Sequence, residues 1–287
     1  VPMFFTQLAT QLIGVASVIM AGNYSSEVLS GILLANSIWF PVFIGLGGIL
    51  FFVTPMVAQL NGAQKISEIG PLIRQALWLT LPILTLVVFA LNSTGTILRL
   101  VGVEENVIVF SKEYLNFFVY AVPAVLFMQP FRSLTEGITR PLPLSVINTI
   151  MLFIHILASY CFIFGNFGFT EMGAKGAGLA AVVSVWTALV ILVIYIKTNK
   201  VYEPTKVFTS FEWPSLKTFA EIVKGGLPVG VSNFVEVSMF AGASLILGRL
   251  GSDVIAAHGI ALNIGGIFFM VPLSIGLAAA VRVGNQI

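Results

Sequence analysis

Charge is what this sequence has least of. Of its 287 residues, 9% are Asp, Glu, Lys or Arg, while 57% are hydrophobic and mean hydropathy is +1.01. Soluble domains carry about a quarter charged residues, so lipid rather than water is the expected solvent for most of the chain. Cysteine occurs once, at Cys161, which rules out an internal disulfide framework and a cysteine metal cluster. The formal net charge of +2 is too small to point to nucleic acid. Ionisable groups at membrane depth number two, Glu236 and His155. A membrane-embedded enzyme needs a carboxylate pair, a Ser/Lys or His/Glu set or metal ligands there, so the sequence argues against catalysis.

What is abundant is long apolar runs. Eight recur, at about 2–22, 32–59, 73–92, 114–133, 143–165, 176–197, 225–247 and 255–281, each near or above the ~20 residues that cross a hydrocarbon core. The predicted fold is all-α, a polytopic membrane helix bundle with about eight transmembrane helices. Pro41, Pro55, Pro82, Pro123 and Pro130 fall inside spans, where neighbouring helices can satisfy the freed carbonyls. One side of this topology carries Lys65, Arg74, Arg132, Arg140, Lys197, Lys200, Lys206, Lys217, Lys224 and Arg282. The other carries Arg99, Lys112, Lys175 and Arg249. Cytoplasmic loops retain Lys and Arg, which places the amino terminus in the cytoplasm.

A shift of 226 residues superposes Pro2 on Pro228, Thr6 on Ser232, Gln7 on Asn233, Gly22 on Gly248, and the run 26–29 on 252–255. Internal symmetry of this kind marks transporter repeats. The expected organisation is a six-helix first lobe over residues 1–197, a basic cytoplasmic connector over 198–224 with a role in anionic lipid contact, and the first two helices of a homologous second lobe over 225–287. Six spans and two predict a fragment of a twelve-span protein, whose missing remainder is the expected partner of the last two.

Several motifs then align with a known family. T-P-M-V-A-Q-L-N-G-A (54–63), A-V-P-A (121–124), R-S-L-T-E-G (132–137), F-V-E-V-S-M-F-A (234–241), A-A-H-G-I-A-L-N (256–263) and S-I-G-L-A-A-A-V-R-V-G (274–284) resemble the multidrug and toxic compound extrusion (MATE) transporters of the norfloxacin-type branch, along the whole chain. The resemblance implies a V-shaped pair of six-helix lobes in a bacterial inner membrane. It also implies export of organic cation substrates in exchange for sodium or protons, with membrane lipids as surroundings and no cofactor beyond that coupling ion. The rival reading is a lipid-linked oligosaccharide flippase of the same wider fold group, which would be expected to carry cationic residues inside its cavity. Here Lys and Arg fall in loops and span ends.

Glu236 is twelve residues beyond Lys224, or ~18 Å along a helix, and so near the membrane midplane. A lone carboxylate there costs at least ~2.5 kcal/mol unless it meets a partner, which makes it the candidate ion-coupling residue. The family resemblance places a coupling glutamate at this position. Sodium or a proton would bind it and leave as substrate enters. Ser232 and Asn233, four and three residues earlier on the same face, are candidates to complete an oxygen shell for Na⁺, with Asn263 from the last span. The plainer alternative for each is a modest interhelical hydrogen bond. The further candidates for an ion or substrate cavity are Gln7, Ser17, Asn36, Asn148 and His155, and Thr10 is the residue that the repeat superposes on Glu236. Two departures stand out: relatives commonly carry an acid where this chain has Ser17, and an N-x-P-x-N stretch where it has residues 155–159. His155 either takes over that acid's role, titrating near neutrality, or is a neutral hydrogen-bonding group with coupling left to the second lobe. Phe4, Phe5, Trp39 and Phe234 are the candidate aromatic lining. His258 is expected to be interfacial or capping.

Overall fold

A computed structural model describes residues 2–286, so Val1 and Ile287, the outer bounds expected for the two lobes, lie outside the described residues. The chain is predominantly helical and contains no strand among the described residues. In order the helices are α1 (Pro2–Tyr24), α2 (Ser26–Val42), α3 (Val53–Gly62), α4 (Ile66–Asn92), α5 (Thr94–Val101), α6 (Glu105–Phe118), α7 (Val122–Gly137), α8 (Leu142–Phe164), α9 (Ala174–Thr198), α10 (Leu216–Leu247) and α11 (Ser252–Gly284). Seven stretches are long and apolar enough to cross a membrane, and α6 with α7, bent by 54° about residues 119–121, make an eighth. The chain is a multi-pass membrane protein.

Span two differs from a simple rod. It runs 37 residues from Ser26 to Gly62, passing through a π-helical turn at Phe43–Gly47 and a 3₁₀ stretch at Gly48–Phe52. Pro41 removes one donor from the ladder, and Gly45, Gly47 and Gly48 follow where side-chain packing would otherwise hold a regular helix. Such π turns recur at functional sites. Span three also starts earlier than its apolar run, at Ile66, and span seven begins at Leu216 within the predicted connector.

The rest of that connector is strapped to α4. Arg74 donates to the carbonyls of Lys206 (2.6 Å) and Val207 (3.1 Å) and pairs with Glu212. Gln75 donates to the Trp213 carbonyl (2.9 Å) and accepts from the Ser215 N–H (2.7 Å), which treats an extended backbone as a neighbouring strand would. The small residues after 173 permit the close approaches expected of them: a Cβ on Gly176 would lie 2.4 Å from the Phe162 carbonyl oxygen, and one on Gly178 2.5 Å from that of Tyr114.

The 226-residue shift is visible in three dimensions. It carries Tyr24, the end of α1, onto Leu250, and Ser26, the start of α2, onto Ser252, the start of α11. The packing is exchanged in the same way, with α11 against α1 and α10 against span two. Residues on a two-fold axis touch their own mates. A Cβ on Gly259 would meet Leu33 Cδ1 at 2.4 Å, and one on Gly284 would meet Ala58 Cβ at 3.0 Å; both pairs are separated by 226. The pseudo-two-fold axis therefore passes between span two and α11 at both ends of their contact.

Candidate functional site

Glu236 sits on α10, which is fastened to the irregular part of span two by glycines on both sides. A Cβ on Gly230 would lie 2.4 Å from the Gly45 carbonyl oxygen, and one on Gly226 2.3 Å from that of Ile49. Phe234 covers Gly45, its Cδ2 2.9 Å from where a Cβ would stand. Backbone meets backbone here. Glu236 is six residues beyond Gly230, about 9 Å along the axis, and it lies with Ser232 on the exposed face of α10, while Asn233 is half-buried at the edge of the packed face. Among the described residues, Glu236 forms no ion pair and no hydrogen bond. The Arg residues whose side chains are most buried are engaged elsewhere, Arg74 with Glu212 and Arg132 with Glu136 at 3.0 Å.

The other candidates divide into two groups. Ser17, Asn148 and His155 come together in one polar seam between α1 and α8. Thr6 Oγ1 and Ser145 Oγ are 2.7 Å apart, Asn148 Nδ2 donates to Thr10 Oγ1 (3.0 Å) and the Thr6 carbonyl (3.3 Å), and Ser17 Oγ meets His155 Nε2 at 2.8 Å. The pairs 6–145, 10–148 and 17–155 keep an almost constant offset, as two parallel helices in fixed register require. On the far side of the ring, His155 Nδ1 meets Ser184 Oγ of α9 at 3.2 Å. His155 is buried, and both hydroxyls also reach carbonyl acceptors of their own helices, Ile13 for Ser17 (2.9 Å) and Ala180 for Ser184 (2.8 Å). A neutral imidazole has one donor and one acceptor nitrogen; one serine accepts from the ring N–H while keeping its helix carbonyl, and the other meets the acceptor nitrogen by turning its single proton from its own carbonyl to the ring.

Gln7, Asn36 and Asn263 are held elsewhere. Gln7 Oε1 accepts from Arg132 Nη2 of α7. Asn36 Oδ1 stands 3.5 Å from the Tyr114 hydroxyl. Asn263 turns its amide back to the Gly259 carbonyl (2.9 Å), and its own carbonyl accepts from Gln11 (3.2 Å), so it faces α1. Trp39 corrects an expectation: it is buried, stacked on Phe43 at 5.1 Å and edge-on to Phe118 at 5.0 Å, within the core. Phe5 and Phe234 are exposed. His258 is half-buried with Nε2 shielded and unpartnered rather than capping a helix. Sequence reasoning missed Ser145 and Ser184, although the shared seven-residue spacing of Thr10/Ser17 and Asn148/His155 is a signal that two polar stripes face one another.

The family model described as MatE matches residues 2–161 and again 228–287. The chain belongs to the MatE family. The second matched stretch starts at Pro228, where the internal shift begins its second copy. Similar MatE relatives include the multidrug resistance protein NorM of Vibrio cholerae, 36% identical over all of this chain and 63% of that protein. The probable NorM of Haemophilus ducreyi is 38% identical over 99% of the chain and 62% of that protein. Among solved structures, the MATE transporter NorM-NG in complex with a monobody is 27% identical with a TM-score of 0.75, covering 100% of this chain and 62% of that one. The eukaryotic MATE transporter AtDTX14 shares the fold, with a TM-score of 0.86 at 22% identity over 99% of this chain and 63% of that one. The chain thus spans just under two thirds of the length of these relatives.

Proposed function

We propose that this chain is part of a multidrug efflux transporter that exports organic cations by antiport with sodium or protons, and that Glu236 is its coupling residue. The observation that carries this reading is an acid at mid-span, anchored beside the broken part of span two and without a counterion among the described residues. An unpaired carboxylate at that depth is stabilised by whichever cation visits it, and H⁺, Na⁺ and a cationic substrate compete for it. A change in occupancy can then bias which side of the bundle is open. The names of the relatives, multidrug resistance proteins, support the same transport class rather than an enzyme.

The exposed face around Glu236 fits the same proposal. Thr10, which the pseudo-two-fold places on Glu236, is contacted by Asn148 of α8. The equivalent face of α10 would meet the helix equivalent to α8 in a completed second lobe, so Glu236 would look into a lobe rather than at acyl chains. The charge asymmetry of the loops supports a cytoplasmic amino terminus, and the bacterial sources of the relatives support placement in a bacterial inner membrane. In a protein that carries this chain with a complete second lobe, Glu236→Gln is expected to abolish efflux of an organic cation from everted vesicles under both sodium and proton gradients, while insertion stays normal. Undiminished efflux by that variant refutes the assignment, and comparing the two gradients in the parent protein identifies the ion.

A further inference from the structure

At the opposite end of the bundle from the connector, a polar cavity of about 420 Å³ lies between α4, α5 and α6, lined by Asn92, Thr94, Gly95, Lys112, Asn116 and Tyr120 over an apolar floor. Three features distinguish it from an ordinary surface cleft. Lys112 lies across the first turn of α5, its Nζ 2.9 Å and Cε 2.2 Å from where a Cβ on Gly95 would stand, so its flexible end rests directly on the α5 backbone there. Lys112 forms no salt bridge or hydrogen bond among the described residues, and the acids beside it on α6 are occupied, Glu105 by Arg99 and Glu113 by Lys175. Thr94, in the cavity wall, is 1% exposed, yet its hydroxyl has no hydrogen-bond partner. A buried, unsatisfied hydroxyl is unusual and calls for a missing acceptor. No Asp or Glu lines the cavity.

We propose that this cavity is a binding site for a phosphate oxyanion. Lys112 supplies the charge and Thr94, Asn92 and Asn116 the neutral donors. Its depth leaves two sources for the same chemistry. Asn92 closes α4, a helix of 27 residues and thus ~40 Å, longer than the ~30 Å hydrocarbon core. The exposed Leu86 and Phe89 just below it continue an apolar outer face. The cavity therefore sits at headgroup level, where the ligand is either the phosphate of a phospholipid or free phosphate. This inference is independent of the transport reading.

The test uses the purified chain, with Lys112→Gln and Thr94→Val as variants and Arg249→Gln as a control basic residue on the same side. Retention of phosphatidylglycerol over phosphatidylcholine is measured by native mass spectrometry, and protection by inorganic phosphate by thermal shift. Lys112→Gln, whose exposed side chain leaves the unliganded melting temperature unchanged, is expected to weaken binding roughly tenfold, as loss of a charge-assisted contact does. Thr94→Val should weaken it several-fold, and Arg249→Gln should have no effect. Lys112-dependent retention of phosphatidylglycerol assigns the headgroup as ligand, and Lys112-dependent protection by phosphate alone assigns a soluble anion. If Lys112→Gln matches the parent chain with both probes, the site does not exist.

Discussion

Replacing Gly230 by alanine tests the glycine crossing that holds the Glu236 helix. The new methyl would lie 2.4 Å from the Gly45 carbonyl oxygen, whereas ordinary contact begins near 3.4 Å, so backbone must move by roughly 1 Å. Neither neighbour can swing aside, since the contact is with main chain in both helices. Overpacking of this kind costs about 1–3 kcal/mol, against which alanine recovers about 1 kcal/mol of helix propensity. Gly242→Ala on the same helix supplies the control, because its Cβ meets nothing within 4 Å and it gains only the propensity. The difference between the two variants isolates the clash at about 1–3 kcal/mol. Reversible unfolding of the purified chain in mixed micelles measures it. If the two variants agree within about 0.5 kcal/mol, α10 does not cross span two at backbone distance, and the placement of Glu236 beside the π turn is wrong.

Two further predictions concern the seam and the axis. Ser17→Ala and Ser184→Ala should each lower stability by about 1 kcal/mol, because the imidazole can keep whichever hydrogen bond remains; the double variant should cost more than the sum, since it leaves a buried ring N–H bare. Strict additivity in that cycle would show that His155 does not bridge the two serines. With Cys161 replaced, Ala58→Cys plus Gly284→Cys should form a disulfide under mild oxidation, the Cβ positions standing 3.0 Å apart and needing only a small opening to reach bridge geometry. Leu33→Cys plus Gly284→Cys, at opposite ends of the axis, should not, and equal cross-linking of both pairs would remove the axis from this interface.

Much of the architecture was legible because membrane spans announce themselves by composition. Seven of the eight apolar runs each lie, to within a residue, in one continuous helical stretch, the run 114–133 is divided between α6 and α7 at their 54° bend, and the 226-residue shift survives in the helix boundaries. The early start of α10 was hidden for a physical reason: hydropathy locates where lipid ends, and residues 216–224 carry charges, yet Ser215 accepts from the Thr218 N–H as an N-cap and the helix runs on unbroken into the span. The break in span two was half visible in Pro41 and the three glycines, but a π turn followed by a 3₁₀ stretch is chosen by what packs against it. The site was less legible. Glu236 stood out because its cost in lipid is a local property. Asn263, read as a companion of Glu236, faces Gln11 instead, because the exchange of partners across the pseudo-two-fold sends α11 to α1 rather than to α10. Ser184 gave no signal: a serine bonded to its own helix resembles any other until the facing imidazole is known.

The pseudo-two-fold also sharpens the proposed mechanism. One backbone frame is used twice, and at equivalent positions it carries Thr10 and Glu236. Thr10 is satisfied locally, donating to the Thr6 carbonyl (3.0 Å) and accepting from Asn148, and the seam beyond it closes through Ser17, His155 and Ser184 without any acid. The first half can therefore be complete and neutral with nothing bound. Among the described residues the Glu236 carboxylate has no partner to complete it when ionised, so its completion falls to a cation or to a group outside them. If coupling takes place as proposed, the acid of this pair of positions lies in the second half, and each turnover would exchange charge at that carboxylate while the first-half position stays neutral.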